Sequence, residues 1–208
     1  MDPIPTDTAD TGSSTGSSTG SSSTAGTVRD VIRRRRTSLV MDTERDVDDE
    51  IIAQLCELAT WAPNHKRTWP WRFAVFTGTG RDRLGAAFAA DLEATRSADD
   101  AKISKTRTKY RRAPAVVVVG CAAHEHPTFH DENRDAVSAG IQNMLIGATA
   151  AGLASFWSTA PEISGPEALG LCGFEPDTRI IGVVYLGWPT AEVTVPERPA
   201  PSINRIGA

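Results

Sequence analysis

Seven consecutive residues, Ala115-Val-Val-Val-Val-Gly-Cys121, constrain this chain more than any others. A β-branched run without polar alternation reads as a strand buried on both faces. Such a strand needs neighbours on its edges and a layer of cover on each side. The rest of the sequence offers both. Arg179–Gly187 reads as a second buried strand, Trp71–Thr77 as a third, and Ala154–Thr159 as a short strand running into an exposed turn. Asp48 caps a helix that runs to about Trp61, with Ile51, Ile52, Leu55, Leu58 and Ala59 at helical spacing. Leu84, Phe88 and Leu92 mark another helix over 81–96, and a short one covers 167–171. Residues 133–152 form a long helix that is nearly uncharged after Asp135. A helix apolar all round lies centrally or against a partner subunit. The pattern is a central mixed β-sheet enclosed by helices, in one α+β or α/β layer domain.

Three regimes divide the chain. Residues 1–27 repeat Gly, Ser and Thr and hold almost no large apolar side chain, so a disordered low-complexity tail is expected there. Residues 28–189 carry the folded domain. Residues 190–208 form a Pro-rich extended arm, too poor in apolar residues to fold alone, which would lie on the surface or on another subunit. The net charge of −4 gives no bulk bias toward nucleic acid. Cys56, Cys121 and Cys172 are odd in number and far apart, which argues against a disulfide framework and fits a reducing cytoplasm. No apolar run reaches membrane-spanning length, and the N-terminus lacks the order of a secretory signal.

Polar clusters suggest chemistry. A helix from Val28 ends in Arg33-Arg34-Arg35-Arg36, followed by Thr37-Ser38. One or two cations there complement the helix dipole. Four in a row beside hydroxyls also fit a phosphate clamp, because the guanidinium fork matches phosphate oxygens. The stretch Trp61-Ala-Pro-Asn-His-Lys-Arg-Thr-Trp-Pro-Trp-Arg-Phe73 packs three of the five tryptophans, His65 and several cations between two prolines. It suits cover over a flat anionic or aromatic ligand, or over a partner chain. The basic stretch 97–112 is either a solvated helical lid or added positive field near an anionic cofactor. His124, His126 and His130 have a tempting spacing, but Pro127 interrupts and no fourth ligand stands out, so no metal is expected. Gly78-Thr-Gly80 lacks the third glycine of a dinucleotide loop.

The order of these pieces resembles the nitroreductase family of flavin enzymes. Ile32–Thr37 is similar to its Ile-x-x-Arg-Arg-Ser opening, and Ala62-Pro-Asn-His-Lys with Trp69-Pro-Trp-Arg-Phe73 to its Ala-Pro…Gln-Pro-Trp-x-Phe signature. Residues 139–152 followed by Ser155-Phe-Trp resemble its central helix and exit, and Ile181–Pro189 its penultimate strand. The resemblance implies a domain-intertwined homodimer with FMN at each interface. It assigns Arg35, Arg36 and Thr37 to the FMN phosphate and ribityl chain, with Arg34 and Ser38 in play if the register slips. It assigns Trp61 and His65 to the partner's flavin, and Trp157, Ser158 and Thr159 to the flavin's edge. Nicotinamide contact would fall to Gly147, Ala148, Thr149, Ala150, Ala151 and Gly152. NADH or NADPH would deliver hydride to flavin N5, and a nitroaromatic, quinone or other electron-poor acceptor would collect the electrons in ping-pong fashion. No side chain need act as acid or base. Trp69 in place of the usual Gln, and His65-Lys66 in place of Ser/Asn, leave acceptor preference open. The rival readings are a non-catalytic FMN-binding protein for storage or sensing, and a nucleic-acid module that the acidic balance disfavours.

Overall fold

In the computed structural model the described residues are 20–96, 98–160 and 165–207. The elements run α1 (Gly20–Arg34), α2 (Asp49–Thr60), β1 (Trp71–Thr77), α3 (Gly80–Thr95), α4 (Asp100–Thr108), β2 (Ala115–Cys121), α5 (Thr128–Ala150), β3 (Ala154–Ser158), α6 (Pro166–Cys172) and β4 (Arg179–Gly187). The sheet order is β1-β2-β4-β3. Every named strand pair is antiparallel. The parallel component of the expected mixed sheet is a single bridge, Thr37 to Ser155.

The strand β2 is buried along its whole length. Its side chains alternate between two cores. Val117 and Val119 pack with Ile52, Leu55, Val137, Ile141 and Met144 from α2 and α5. Val116 and Val118 pack with Leu84, Phe88, Tyr110 and Tyr185 on the α3 side. That second layer is aromatic: Phe88 and Tyr110 stack at 5.6 Å, and Tyr110 and Tyr185 at 6.0 Å. Such pairs add about 0.5–1.5 kcal/mol beyond their area burial. Asp91 of α3 is buried and accepts backbone N–H bonds from Gly165, Glu167 and Ala168 at 2.9, 3.1 and 3.0 Å. It thereby satisfies the free donors at the start of α6 and ties α6 to α3.

The long helix α5 is packed tightly on α2. A Cβ at Gly140 would lie 2.6 Å from the Ala59 carbonyl oxygen, and one at Gly147 would lie 2.7 Å from Leu58 Cδ1. Between them Asn143 donates to the Leu58 carbonyl at 3.3 Å. The expected helix 133–152 starts earlier, at Thr128, so the His-rich segment is partly its solvated first turn rather than a loop. At the N-terminus α1 begins at Gly20, inside the segment expected to be a disordered tail. Once a helix is nucleated each added residue costs little, and Ser and Thr are tolerated in its first turns. The remainder of that tail, residues 1–19, lies outside the described residues.

No helix among the described residues is long and apolar enough to cross a membrane. The three cysteines are free; burial pushes the Cys56 and Cys121 thiols up to about 11 and Cys172 to about 12. They are protonated packing groups at neutral pH, not nucleophiles.

Candidate functional site

The cationic run sits where α1 meets the sheet. Arg35 extends the helix by one bond, its N–H donating to the Val31 carbonyl at 3.0 Å. The chain then crosses to β3: Thr37 bridges Ser155, and Ser38 N–H donates to the Ser155 carbonyl at 2.9 Å. This join fixes the arginines against a strand edge. Arg36 turns back on the helix end, its Nη1 donating to the carbonyls of Arg33 at 2.5 Å and Arg35 at 2.6 Å. Its Nε and Nη2 are buried and have no protein partner. Two buried guanidinium donors left unpaired cost several kcal/mol on the order of 1–3 each, so the site is built for an acceptor.

Arg35 lies beside a third cation that the sequence did not single out. Burial, then the like charges of Arg198 and Arg36, lower the Arg35 guanidinium below its ordinary value. None of Arg35, Arg36 and Arg198 takes part in a salt bridge among the described residues. Three crowded, unneutralised guanidiniums are an anion site. Arg198 belongs to the exposed C-terminal arm. Next to the cluster is a cavity of about 560 Å³ lined by Arg34, Arg36, Ser38, Thr149, Glu192 and Val193 among others. Ser38 is buried and its Oγ accepts from Val40 N–H at 3.0 Å. Thr37 is exposed, and Arg35 Nη1 donates to its Oγ1 at 3.5 Å. Within the run, then, Arg34 and Arg36 line the cavity together with Glu192 and Val193 of the arm, while Arg35 feels the charge of Arg198.

On β3, Trp157 is half-buried over Gly182, where a Cβ would approach its Nε1 to 2.1 Å. That indole N–H is buried without a partner. Ser158 Oγ donates to the Thr159 carbonyl at 3.1 Å, and Thr159 is exposed. Trp157 and Ser158 share the strand that Thr37 and Ser38 join, with Thr159 directly after it, so the cationic run and the Trp157 segment are brought together.

The stretch 147–152 divides. Gly147 packs closely on Leu58 and Leu55 of α2, and Ala148 is buried in the first core. Thr149 lines the cavity, while Ala150, Ala151 and Gly152 form an exposed turn with Gly152 at φ 80.

The aromatic loop lies elsewhere. Trp61 caps the C-terminal end of α2, is 74% exposed and donates from Nε1 to the Glu57 carboxylate. His65 Nδ1 is 2.7 Å from Glu132 Oε2, near the start of α5. Thr68 Oγ1 donates to Asn133 Oδ1 at 2.5 Å, and Asn133 is buried. At about 1.5 Å rise per residue, α5 holds Glu132 about 25 Å from Thr149 at the cavity. One protomer therefore does not bring His65 to its own arginine cluster. All four histidines gather near this end, with His65, His124 and His126 ringed around Phe129 at 6.0, 4.6 and 5.8 Å. No group of three potential metal ligands occurs among the described residues. Arg198 and Asn133 escaped the sequence reading because each meets its neighbours only through the fold. The weak signals were a lone cation in a Pro-rich arm and an amide on a mostly apolar helix.

Comparison with known proteins agrees with this architecture. YfhC of Bacillus subtilis, whose name proposes it as an NAD(P)H nitroreductase, is 28% identical over 173 residues, 82% of this chain and 89% of its own. YdjA of Escherichia coli, named in the same way, is 30% identical over 148 residues, 69% of this chain and 80% of its own. A nitroreductase-like protein from Bacillus cereus superposes with a TM-score of 0.68 at 26% identity, covering 85% of this chain and 91% of that one. A Bacteroides fragilis nitroreductase with bound FMN superposes with a TM-score of 0.69 at 20% identity, covering 86% and 98%. The Nitroreductase family model matches residues 32–188, from the arginine run through the last strand, and the chain belongs to that family.

Proposed function

We propose that this chain is an FMN-dependent oxidoreductase that draws electrons from NADH or NADPH and passes them, by ping-pong turnover, to a nitroaromatic, quinone or similar electron-poor acceptor. It would work in the cytoplasm as a homodimer with a flavin at each interface. The relatives' names support the nicotinamide donor, and the FMN in the Bacteroides fragilis protein supports the flavin. The observation that carries the reading is Arg36. Its two buried, unpartnered nitrogens beside Arg35 and Arg198 require an anion with several acceptor oxygens.

The residues fit FMN. Arg35, Arg36 and Arg198 would hold the phosphate, with the Thr37 hydroxyl and the Ser38 backbone region at the start of the ribityl chain. Trp157 has a free indole donor beside Ser158 and Thr159, the segment that would line the flavin's edge. When bound, FMN supplies the two-electron chemistry that no side chain here provides. The chain's own part is to bind, orient and exclude water. Positive charge and free N–H donors near the ring would favour the more anionic reduced form. The separation of about 25 Å along α5 supports a reading in which the remaining contacts would come from the partner subunit's Trp61 and the partner subunit's His65.

Purified protein should show a visible flavin spectrum that anaerobic NADH or NADPH bleaches. A colourless protein that cannot be reconstituted with FMN overturns the reading. A flavin that neither nucleotide reduces replaces it with a non-catalytic FMN-binding role. A monomer that holds FMN tightly removes Trp61 and His65 from the site.

A further inference from the structure

Four residues other than glycine have positive φ among those described: Lys66 (58), Arg67 (54), Trp69 (52) and Arg96 (51). Arg96 ends α3, where a left-handed residue is an ordinary helix terminus. The other three fall within four positions of one loop. Each costs about 1–2 kcal/mol for a residue with a side chain, and such strain persists only where the surroundings over-determine it.

Here they do. Asn64 Oδ1 accepts from Trp69 N–H at 3.0 Å, and Asn64 Nδ2 donates to Thr68 Oγ1 at 3.0 Å. Thr68 is tied to buried Asn133, and His65 to Glu132. The loop is thus pinned to α5 from both sides of the strained residues. What the strain achieves is display. Lys66 and Arg67 are exposed and make no ion pair among the described residues. Trp69 follows them two positions on in the same loop, 60% exposed, with its ring centroid 6.2 Å from Trp71. Two free cations next to an open indole match one ligand chemistry: a planar ring carrying an anionic substituent.

We infer that Lys66, Arg67 and Trp69 select anionic aromatic acceptors, with the carboxylate or phenolate on the two cations and the ring against the indole. This rests on the oxidoreductase reading, in which the loop reaches the partner's flavin. It adds the acceptor class, which the three-arginine anion site does not determine.

The test compares 4-nitrobenzoate with nitrobenzene, which share the reducible group and differ in charge. The FMN-loaded wild type should favour 4-nitrobenzoate in kcat/KM by about 10-fold at low ionic strength, mostly through KM. That ratio should fall toward one by about 0.5 M salt, a measurement that needs no variant. The Lys66→Gln/Arg67→Gln double variant should lose the preference, and Lys66→Glu/Arg67→Glu should invert it. Benzoate should quench wild-type tryptophan fluorescence and quench the Gln variant about 10-fold more weakly, a readout independent of turnover. A wild type without preference for the anion, or a ratio unmoved by salt and by both double variants, overturns the inference alone. A protein that takes no flavin overturns the parent reading and this inference with it.

Discussion

Two cationic regions sit near opposite ends of α5 and are built in opposite ways. At the α1–β3 junction the backbone is relaxed and the side chains are constrained: Arg36 is folded onto two carbonyls and keeps two buried donors in reserve. At the loop 64–69 the side chains are free and the backbone is constrained, with three left-handed residues pinned by Asn64, Thr68 and Asn133. A buried, preorganised guanidinium suits a ligand that stays. Exposed cations on a stiff backbone suit one that comes and goes, because binding orders little and desolvation is slight. On the proposed function, the difference is that between a resident cofactor's anchor and a transient substrate's guide.

Removing both halves of the anchor should give the largest effect. Arg35→Ala/Arg36→Ala should weaken FMN binding by roughly 100-fold or more in a fluorescence titration, since each charge-assisted contact contributes about 1.5–3 kcal/mol. FMN affinity equal to wild type would place the phosphate elsewhere and dissolve the comparison. Next, Asn133→Ala should remove the loop's buried tie to α5 and leave the Thr68 hydroxyl to Asn64 alone, a loss of about 1 kcal/mol and a few degrees in Tm. An unchanged Tm would mean that the strained backbone holds itself. Arg198→Ala should weaken FMN by about 3- to 10-fold, an effect that shrinks with added salt because the arm is exposed. Lys66→Gly should have the smallest effect and the opposite sign. By removing a Cβ from a left-handed position it should raise stability by about 0.5–1 kcal/mol, or about 1–4 °C in Tm. A lower Tm would show that the lysine side chain itself supports the loop.

Three strands were legible to the residue. Trp71–Thr77, Ala115–Cys121 and Arg179–Gly187 have the same bounds in sequence and structure; for the latter two the reason is that a β-branched run admits one environment. The Asp48 cap of α2 was equally plain, its carboxylate accepting from Glu50 N–H at 3.0 Å. Helix ends made of polar residues were not, as the earlier starts of α1 and α5 show. Of the anion site, the four arginines were visible but their division of labour was not. Which guanidinium folds back is decided by the Thr37–Ser155 bridge, a contact between residues far apart in the chain. Arg198 joins Arg35 across most of the chain for the same reason. The three left-handed residues left no mark, since none is glycine and their conformation is held by contacts from Asn64, Glu132 and Asn133 that only the fold assembles.

The two bare positions on α5 have a reach beyond their own contact. Gly140 and Gly147 let the α2 backbone settle against the helix, and α2 ends at Trp61, from which the pinned loop departs. The absence of two side chains thus sets the height at which the tryptophan loop stands above the sheet. A methyl group at either position would have to displace α2, and with it the start of the loop. In the proposed dimer, acceptor turnover would then be tunable from inside the core, by volume alone.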